Sequence, residues 1–495
     1  MTKFLYIGIA VLVLALQGET AKAGSKDECY ICHETMGDKP SKAFKGDVHY
    51  QNGVTCASCH GGDASKDDMD EAMNKKIGFG GVPFGDRVSE ICSSCHSDSV
   101  KMGGYGSKLP THQLEMLQAS AHGKLAISGK QRLVQCTTCH NAHGIASVKS
   151  PASPVHPLRI IQTCGTCHSN ATFMRLYNPS LPVDQIDKYK TSVHGMKNAK
   201  GDTKTAVCSS CHGSHDIQPA SSFKSHVNAA NLPETCGKCH SDAEYMKAYG
   251  IPTDQVEKFK SSVHGKALLV KRDLSAPACN DCHGNHGAVP PGVESISKVC
   301  GQCHALNAEL FSSSPHKKAF DENNFPECET CHGKHDIGPA TVSMVGVDSV
   351  AVCHQCHTME KNVKGYKIAL SMRQLLDSLG GEEVLAKQFI EEAEQKGMEI
   401  SEAKFKLRDV NQARLQSRTM VHAFNQDKFR EVLAPGLQIV DVVKGEAMQA
   451  VEEYSFRRWG LGISTLIITI LAISLYVYIR RLEATQAREQ SGQQH

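Results

Sequence analysis

The chain has 495 residues, of which 40% are hydrophobic, 6% aromatic and 21% charged, and its formal net charge is +2. That balance offers no basic surplus to nucleic acid and nothing that would draw an acidic partner. The departure from ordinary composition is cysteine, with 22 residues against a single tryptophan.

The N-terminus reads as an export signal. Lys3 gives a positive start, Phe4 to Leu16 an apolar run and Ala21-Lys22-Ala23 a small-x-small cleavage site, so the mature chain is expected to begin at Gly24. An uncleaved anchor is the weaker alternative, because the apolar run is short for a bilayer.

From Cys29 onwards the cysteines come in pairs with a histidine behind them. Eleven C-x-x-C-H motifs use all 22: Cys29, Cys32 and His33; Cys56, Cys59 and His60; Cys92, Cys95 and His96; Cys136, Cys139 and His140; Cys164, Cys167 and His168; Cys208, Cys211 and His212; Cys236, Cys239 and His240; Cys279, Cys282 and His283; Cys300, Cys303 and His304; Cys328, Cys331 and His332; Cys353, Cys356 and His357. Two thiolates at i and i+3 can reach both vinyl groups of one porphyrin, and the adjacent histidine can then bind the iron from below. This is the attachment signature of haem c. Disulfide frameworks and zinc ribbons also gather cysteines, but neither has a reason to repeat a histidine after every second one. Eleven covalently attached haem c groups are expected, and export agrees, since attachment takes place outside the cytoplasm.

A repeat organises these motifs. Leading histidines at His49, His122, His194, His264 and His316, separated by 73, 72, 70 and 52 residues, each precede a pair of haem motifs. Five two-haem units and the lone site at Cys29 account for all eleven. In four units the first motif extends to C-H-x-x-H, ending at His143, His215, His286 and His335, whereas the first unit has Asp63 there. A six-coordinate iron needs a ligand from its other face, and these nine histidines are the natural donors, two to each two-haem unit. His112, His156 and His226 bring the candidates to twelve; each is otherwise an ordinary surface residue. His354 falls in the variable part of its own motif and receives no role. No methionine recurs at a fixed offset, so bis-histidine, low-spin haem is expected nearly throughout. Asp63 leaves one haem among those at Cys29, Cys56 and Cys92 dependent on a ligand from elsewhere, such as His112, or open.

Cys29 to His357 spans 329 residues, about 30 per haem. So little polypeptide cannot wall each porphyrin off from the next, and neighbouring haem edges must nearly touch, as electron hopping requires. The porphyrins supply the flat apolar surfaces that the low aromatic content withholds. Short helices, Gly-, Ser- and Lys-rich loops and hardly any sheet follow, and the haem-free chain is not expected to fold. With all propionates ionised the net charge falls to about −20, so most Lys and Arg act as counter-charges.

Beyond His357 the apolar spacing turns helical over 361–379, 382–396 and 401–424, with breaks expected at Gly380-Gly381, Gly397 and Pro435-Gly436. Val410, Arg414, Arg418 and His422 form one stripe at i, i+4, i+8 and i+12. It is either a solvated face or a device in which the arginines pair with propionates and His422 ligates a haem, holding that haem near the bilayer. Gly460 to Ile479 is an uncharged apolar stretch of bilayer length, with Trp459, Tyr476 and Tyr478 at its edges. Arginine pairs flank both ends. Export of the haem region therefore decides the orientation, with haems in the periplasm and the C-terminus in the cytoplasm.

The S-V-H-G … C-x-x-C-H-G-x-H … C-x-x-C-H grammar over residues 25–357 resembles the multihaem cytochromes of bacterial respiratory chains. In haem density it is similar to the decahaem MtrA/DmsE cytochromes, and in anchoring to the NapC/NrfH quinol dehydrogenases. The resemblance implies stacked bis-His haems passing electrons from the quinone pool across the periplasm in anaerobic respiration. The chain departs from both groups in having eleven motifs, a C-terminal anchor and a haem-free helical segment. The expected fold is mostly α with much irregular loop: a multihaem cytochrome c built of two-haem repeats, a C-terminal helical segment and a single transmembrane helix. The boundaries are 1–23 for the signal, 24–358 for the haem domain, 359–458 for the helical segment, 460–479 for the span and 480–495 for the tail. The expected function is an electron relay between a membrane quinol-oxidising subunit or the quinone pool and soluble or outer-membrane cytochromes. The alternative is a multihaem reductase of nitrite, hydroxylamine or a sulfur oxyanion with one open haem.

Overall fold

The computed structural model describes residues 26–127, 131–291 and 296–492, so the export signal and Gly24 lie outside the described residues. The fold is mostly helical, and the sheet among the described residues is one hairpin pairing Ala126–Ile127 with Gln131–Arg132. The chain divides into two compact units, the first ending at Pro290 and the second beginning at Pro291.

In the first unit the motifs build short helices with two kinds of ending. Ala57–His60, Cys136–His140, Cys208–His212 and Cys279–His283 carry the first motif of each pair. The next residue always takes positive φ with extended ψ: Gly61, Asn141, Gly213 and Gly284, at 73°, 66°, 81° and 85°. Glycine reaches that region without a Cβ clash, which explains the C-H-G sequence, while Asn141 holds it under strain. The turn reverses the chain directly after the haem histidine and sends the second histidine of C-H-x-x-H elsewhere. Asp86–His96, Ile160–His168 and Leu232–His240 carry the second motif. They end in a serine followed by Asp98, Asn170 or Asp242, whose side chains cap the next helix.

The leading histidines are positioned by their flanking residues. Ser120, Ser192 and Ser262 are N-caps that accept from the backbone N–H of Gly123, Gly195 and Gly265 at 3.1, 2.9 and 3.0 Å. The same hydroxyls donate back to the carbonyls of Leu117, Tyr189 and Phe259. A Cβ at any of the three glycines would collide with one of those carbonyls. Serine and glycine thus clamp the histidine between two helix ends. At the first repeat Asp47 replaces serine and accepts from both the backbone N–H and Nδ1 of His49, at 2.9 and 2.8 Å.

The second unit contains a three-helix bundle. Helices Val363–Gln395, Ser401–Met420 and Gln426–Gly492 pack along a heptad seam: Met372, Leu376, Leu379, Glu383, Ala386, Ile390 and Ala393 on the first, Phe429, Leu433, Val440, Val443 and Ala447 on the last. The breaks expected at Gly380-Gly381 and Pro435-Gly436 do not occur, because this packing overrides local propensity, a penalty of about 1 kcal/mol for glycine and about 3 for proline. Gly436 is required by the seam, since a Cβ there would clash with that of Ala413. The last helix continues without interruption through 460–479, which is exposed along its length and is the candidate membrane span among the described residues.

Candidate functional site

All 22 cysteines are free of disulfides. Their thiols form a row of neighbours along the first unit. Cys92 lies within hydrogen-bonding reach of Cys136, Cys164 of Cys208 and Cys236 of Cys279, so the first cysteine of one pair's second motif meets the first cysteine of the next pair. Burial first, then a neighbouring thiolate, raises the pKa of Cys59 beside Cys95 and of Cys211 beside Cys236, and that of Cys139 through Cys136 and then Cys167. The second unit continues the pattern with Cys300 at Cys328 and Cys331 near Cys353.

The histidines are arranged in facing pairs. In the first unit His60 faces His143, His140 faces His215 and His212 faces His286, with ring centroids 6.1, 6.2 and 6.0 Å apart and planes within 3°, 18° and 10° of parallel. His96 faces His49, His168 faces His122 and His240 faces His194 at 6.0, 6.1 and 6.2 Å, with planes crossed at 85°, 54° and 61°. In the second unit His332 faces His422 at 6.0 Å and 21°, and His357 faces His316 at 5.7 Å and 88°. Each of these eight pairs joins one motif histidine to one expected distal donor. Two imidazoles bound to one metal at about 2.0 Å from nitrogen have centroids roughly 6.2 Å apart, so the pairs fit a single iron between them.

Second contacts aim the rings. Nδ1 of His60 donates to the Gly81 carbonyl, that of His283 to Val289 and that of His422 to Thr419, at 3.0, 3.2 and 2.9 Å. Nδ1 of His33 donates to Asp38 at 2.6 Å. Each bond fixes the tautomer in which Nε2 carries the metal-binding lone pair. Burial, then the facing imidazole, pulls the pKa of His122 and His194 below the ordinary value and that of His316 down to about 4, which keeps these rings in the neutral, ligating form.

The pairing differs from the two-ligands-per-unit scheme in one respect. The leading histidine serves the second motif of its own pair, but the C-H-x-x-H histidine crosses to the first motif of the preceding pair. Backbone bonds stitch each crossing, from Val48 N to Ile145 O, Ala121 N to Ile217 O and Val193 N to Ala288 O, at 2.8, 2.8 and 3.1 Å. The sequence signal for this offset is the absence of such a histidine in the first pair of motifs, where Asp63 stands, together with His422 after the last pair. His264, His304 and His335 each have an interaction partner as well.

The irregular histidines are employed otherwise. His156 is buried and its Nδ1 accepts from Leu158 N–H at 3.3 Å. Eight residues before its motif, it occupies the place that Asn228 holds in the next repeat, where Asn228 accepts from Ala230 N–H. His226 is bound to Asp216 at 2.8 Å. His112 is exposed ahead of the Gln113–Ala119 helix. None of the three faces another histidine ring among the described residues. The arginine stripe also departs from expectation. Arg414 forms an ion pair with buried Glu383 at 2.9 Å, with its Nε–H not aimed along a hydrogen bond, and Arg418 donates to the Ala340 carbonyl. Between His422 and the candidate span, the helix from Gln426 to Gly460 runs about 50 Å before the apolar stretch begins.

The chain matches the Cytochrome c3 family over residues 48–169 and 271–358, and the Cytochrome c554 and c-prime family over residues 14–61. It is 23% identical over 278 residues to the multiheme cytochrome MtrA of Shewanella baltica (strain OS185), covering 53% of this chain and 67% of that protein. No solved structure matches it.

Proposed function

The chain is a multihaem c-type cytochrome that resembles MtrA, and from that premise we propose that it relays electrons between the cytoplasmic membrane and periplasmic acceptors. The supporting observation is the set of facing histidine pairs, strung along a row of adjoining cysteines. Haem c, once attached, supplies a one-electron Fe(III)/Fe(II) couple. The chain's own residues do the rest. Histidines on both sides of an iron exclude substrate from it, and the cysteine row brings neighbouring porphyrin edges together. Eleven haems are the proposed complement, in the division 24–358 for the haem region, 359–458 for the helical segment, 460–479 for the span and 480–495 for a cytoplasmic tail. The bundle acts as a spacer as well as a ligand carrier: it stands about 50 Å tall on the span and presents His422 at its far end. A membrane donor to the haem at His422 must therefore reach up along the bundle, which favours a quinol-oxidising subunit with its own periplasmic redox centre over direct quinol oxidation. Soluble or outer-membrane cytochromes are the proposed acceptors.

Two measurements test this. The parallel and crossed ring pairs should give two classes of low-spin ferric EPR signal, and His422→Ala should turn one parallel-class haem high-spin. A chain ending at Arg458 should keep its haem spectrum and its reduction by dithionite yet lose reduction by quinol-energised membranes. Equal rates for the truncated and full chains would refute the anchored relay.

A further inference from the structure

We propose that the haem held by Cys29, Cys32 and His33 has no histidine on its second axial side and binds a small neutral ligand there, which makes the N-terminal end of the haem row a ligand site. The inference rests on the haem-holding reading above and goes beyond it. Three crossings establish the positional rule: His143 to His60, His215 to His140 and His286 to His212. In each, the residue three after a first-motif histidine serves the first motif of the preceding pair. For the first pair the preceding site is Cys29–His33, and the residue in the crossing position is Asp63. The fold carries the loop to that place, because Glu28 N–H, at the start of the helix bearing Cys29 and His33, donates to the Ala64 carbonyl at 2.8 Å. Asp63 itself is turned to its own loop, accepting from the Ser65 backbone N–H and hydroxyl at 2.9 and 2.6 Å.

No other histidine replaces it. His33 is engaged by Asp38 through Nδ1, and no histidine ring faces it among the described residues. His156 and His226 are held in their own loops, and His112, the donor suggested by counting alone, lies near His215 rather than His33. The surroundings choose the ligand. Asp27, which accepts from Tyr30 N–H and Cys56 N–H, and Asp63 both stand close enough to Cys29 to raise its thiol pKa further after burial, and Asp38 holds His33. Carboxylates at the cysteine and histidine ends of this motif disfavour an incoming anion and leave neutral ligands such as carbon monoxide, nitric oxide or an imidazole.

The test uses the full haem-loaded chain. Ferric EPR should show one high-spin haem per chain beside the low-spin majority, and the reduced protein should bind one carbon monoxide per chain. Cys29→Ala/Cys32→Ala should abolish both signals and leave the low-spin spectrum of the rest. Asp63→His should convert the high-spin signal to low-spin and block carbon monoxide. Mass analysis of the N-terminal peptide separates the two levels of the argument: a peptide without haem overturns the haem-holding reading at this site. A haem-bearing peptide with neither signal overturns the open side alone. Carbon monoxide binding that survives Cys29→Ala/Cys32→Ala, or a high-spin signal unchanged in Asp63→His, also overturns it.

Discussion

Between Met372 and Ala393 the chain buries a side chain every three or four residues, nearly all of them apolar. Between Cys136 and His240 the buried set instead includes Ser153, Ser192, Asn198, Ser225 and Asn228. The bundle is held by its own side chains in the ordinary way, by removing hydrocarbon from water. The repeat region spends its buried residues on capping helices and closing turns, and leaves the large apolar surfaces to groups attached afterwards. One chain thus holds two stability regimes, and each should respond to a different injury.

The largest effect is expected from withholding haem. Chain made without haem attachment should lose the fold of residues 26–290, while the 363–450 bundle keeps its helical circular dichroism and a cooperative melt. Exchange-protected amides in the repeats of the haem-free chain would break the comparison. The next effect pairs one substitution from each region. Leu379→Ala, at a fully buried seam position, should cost about 2–5 kcal/mol of bundle stability and leave every haem band in place. His194→Ala should do the reverse, turning one haem high-spin without moving the bundle's melting temperature. The smallest effects sharpen the contrast at the backbone. Gly381→Ala, with open space at the new Cβ, should stabilise the bundle by about 1 kcal/mol. Asn141→Gly should relieve a residue at φ 66° and stabilise the repeat region by about 1 kcal/mol, read as a shift in the haem-monitored denaturant midpoint. A destabilised Asn141→Gly would show that the asparagine side chain, and not the turn, holds that position.

Much of this protein could be read locally. A C-x-x-C-H motif needs five residues and no tertiary help, so the candidate attachment sites and their spacing are legible locally. The leading histidines at His122, His194 and His264 were legible in the same way, framed by serine and glycine in four consecutive residues, but His112, His156 and His226 could not be told from donors. His422 was visible as one position on a helical stripe. The bundle's seam was visible too, but its continuity was not: Gly380-Gly381 and Pro435-Gly436 are breakers by propensity, and the buried seam on either side of them keeps the helices running. Which histidine faces which was likewise decided in three dimensions. A periodic sequence presents the same residues in every repeat and cannot say whether His143 serves its own pair or the one before. The positive-φ turn at Gly61, Asn141, Gly213 and Gly284 and the backbone bonds between repeats make that choice. The role of Arg414 and the distance from His422 to the span were fixed the same way, by Glu383 on a neighbouring helix and by an uninterrupted rise of 1.5 Å per residue.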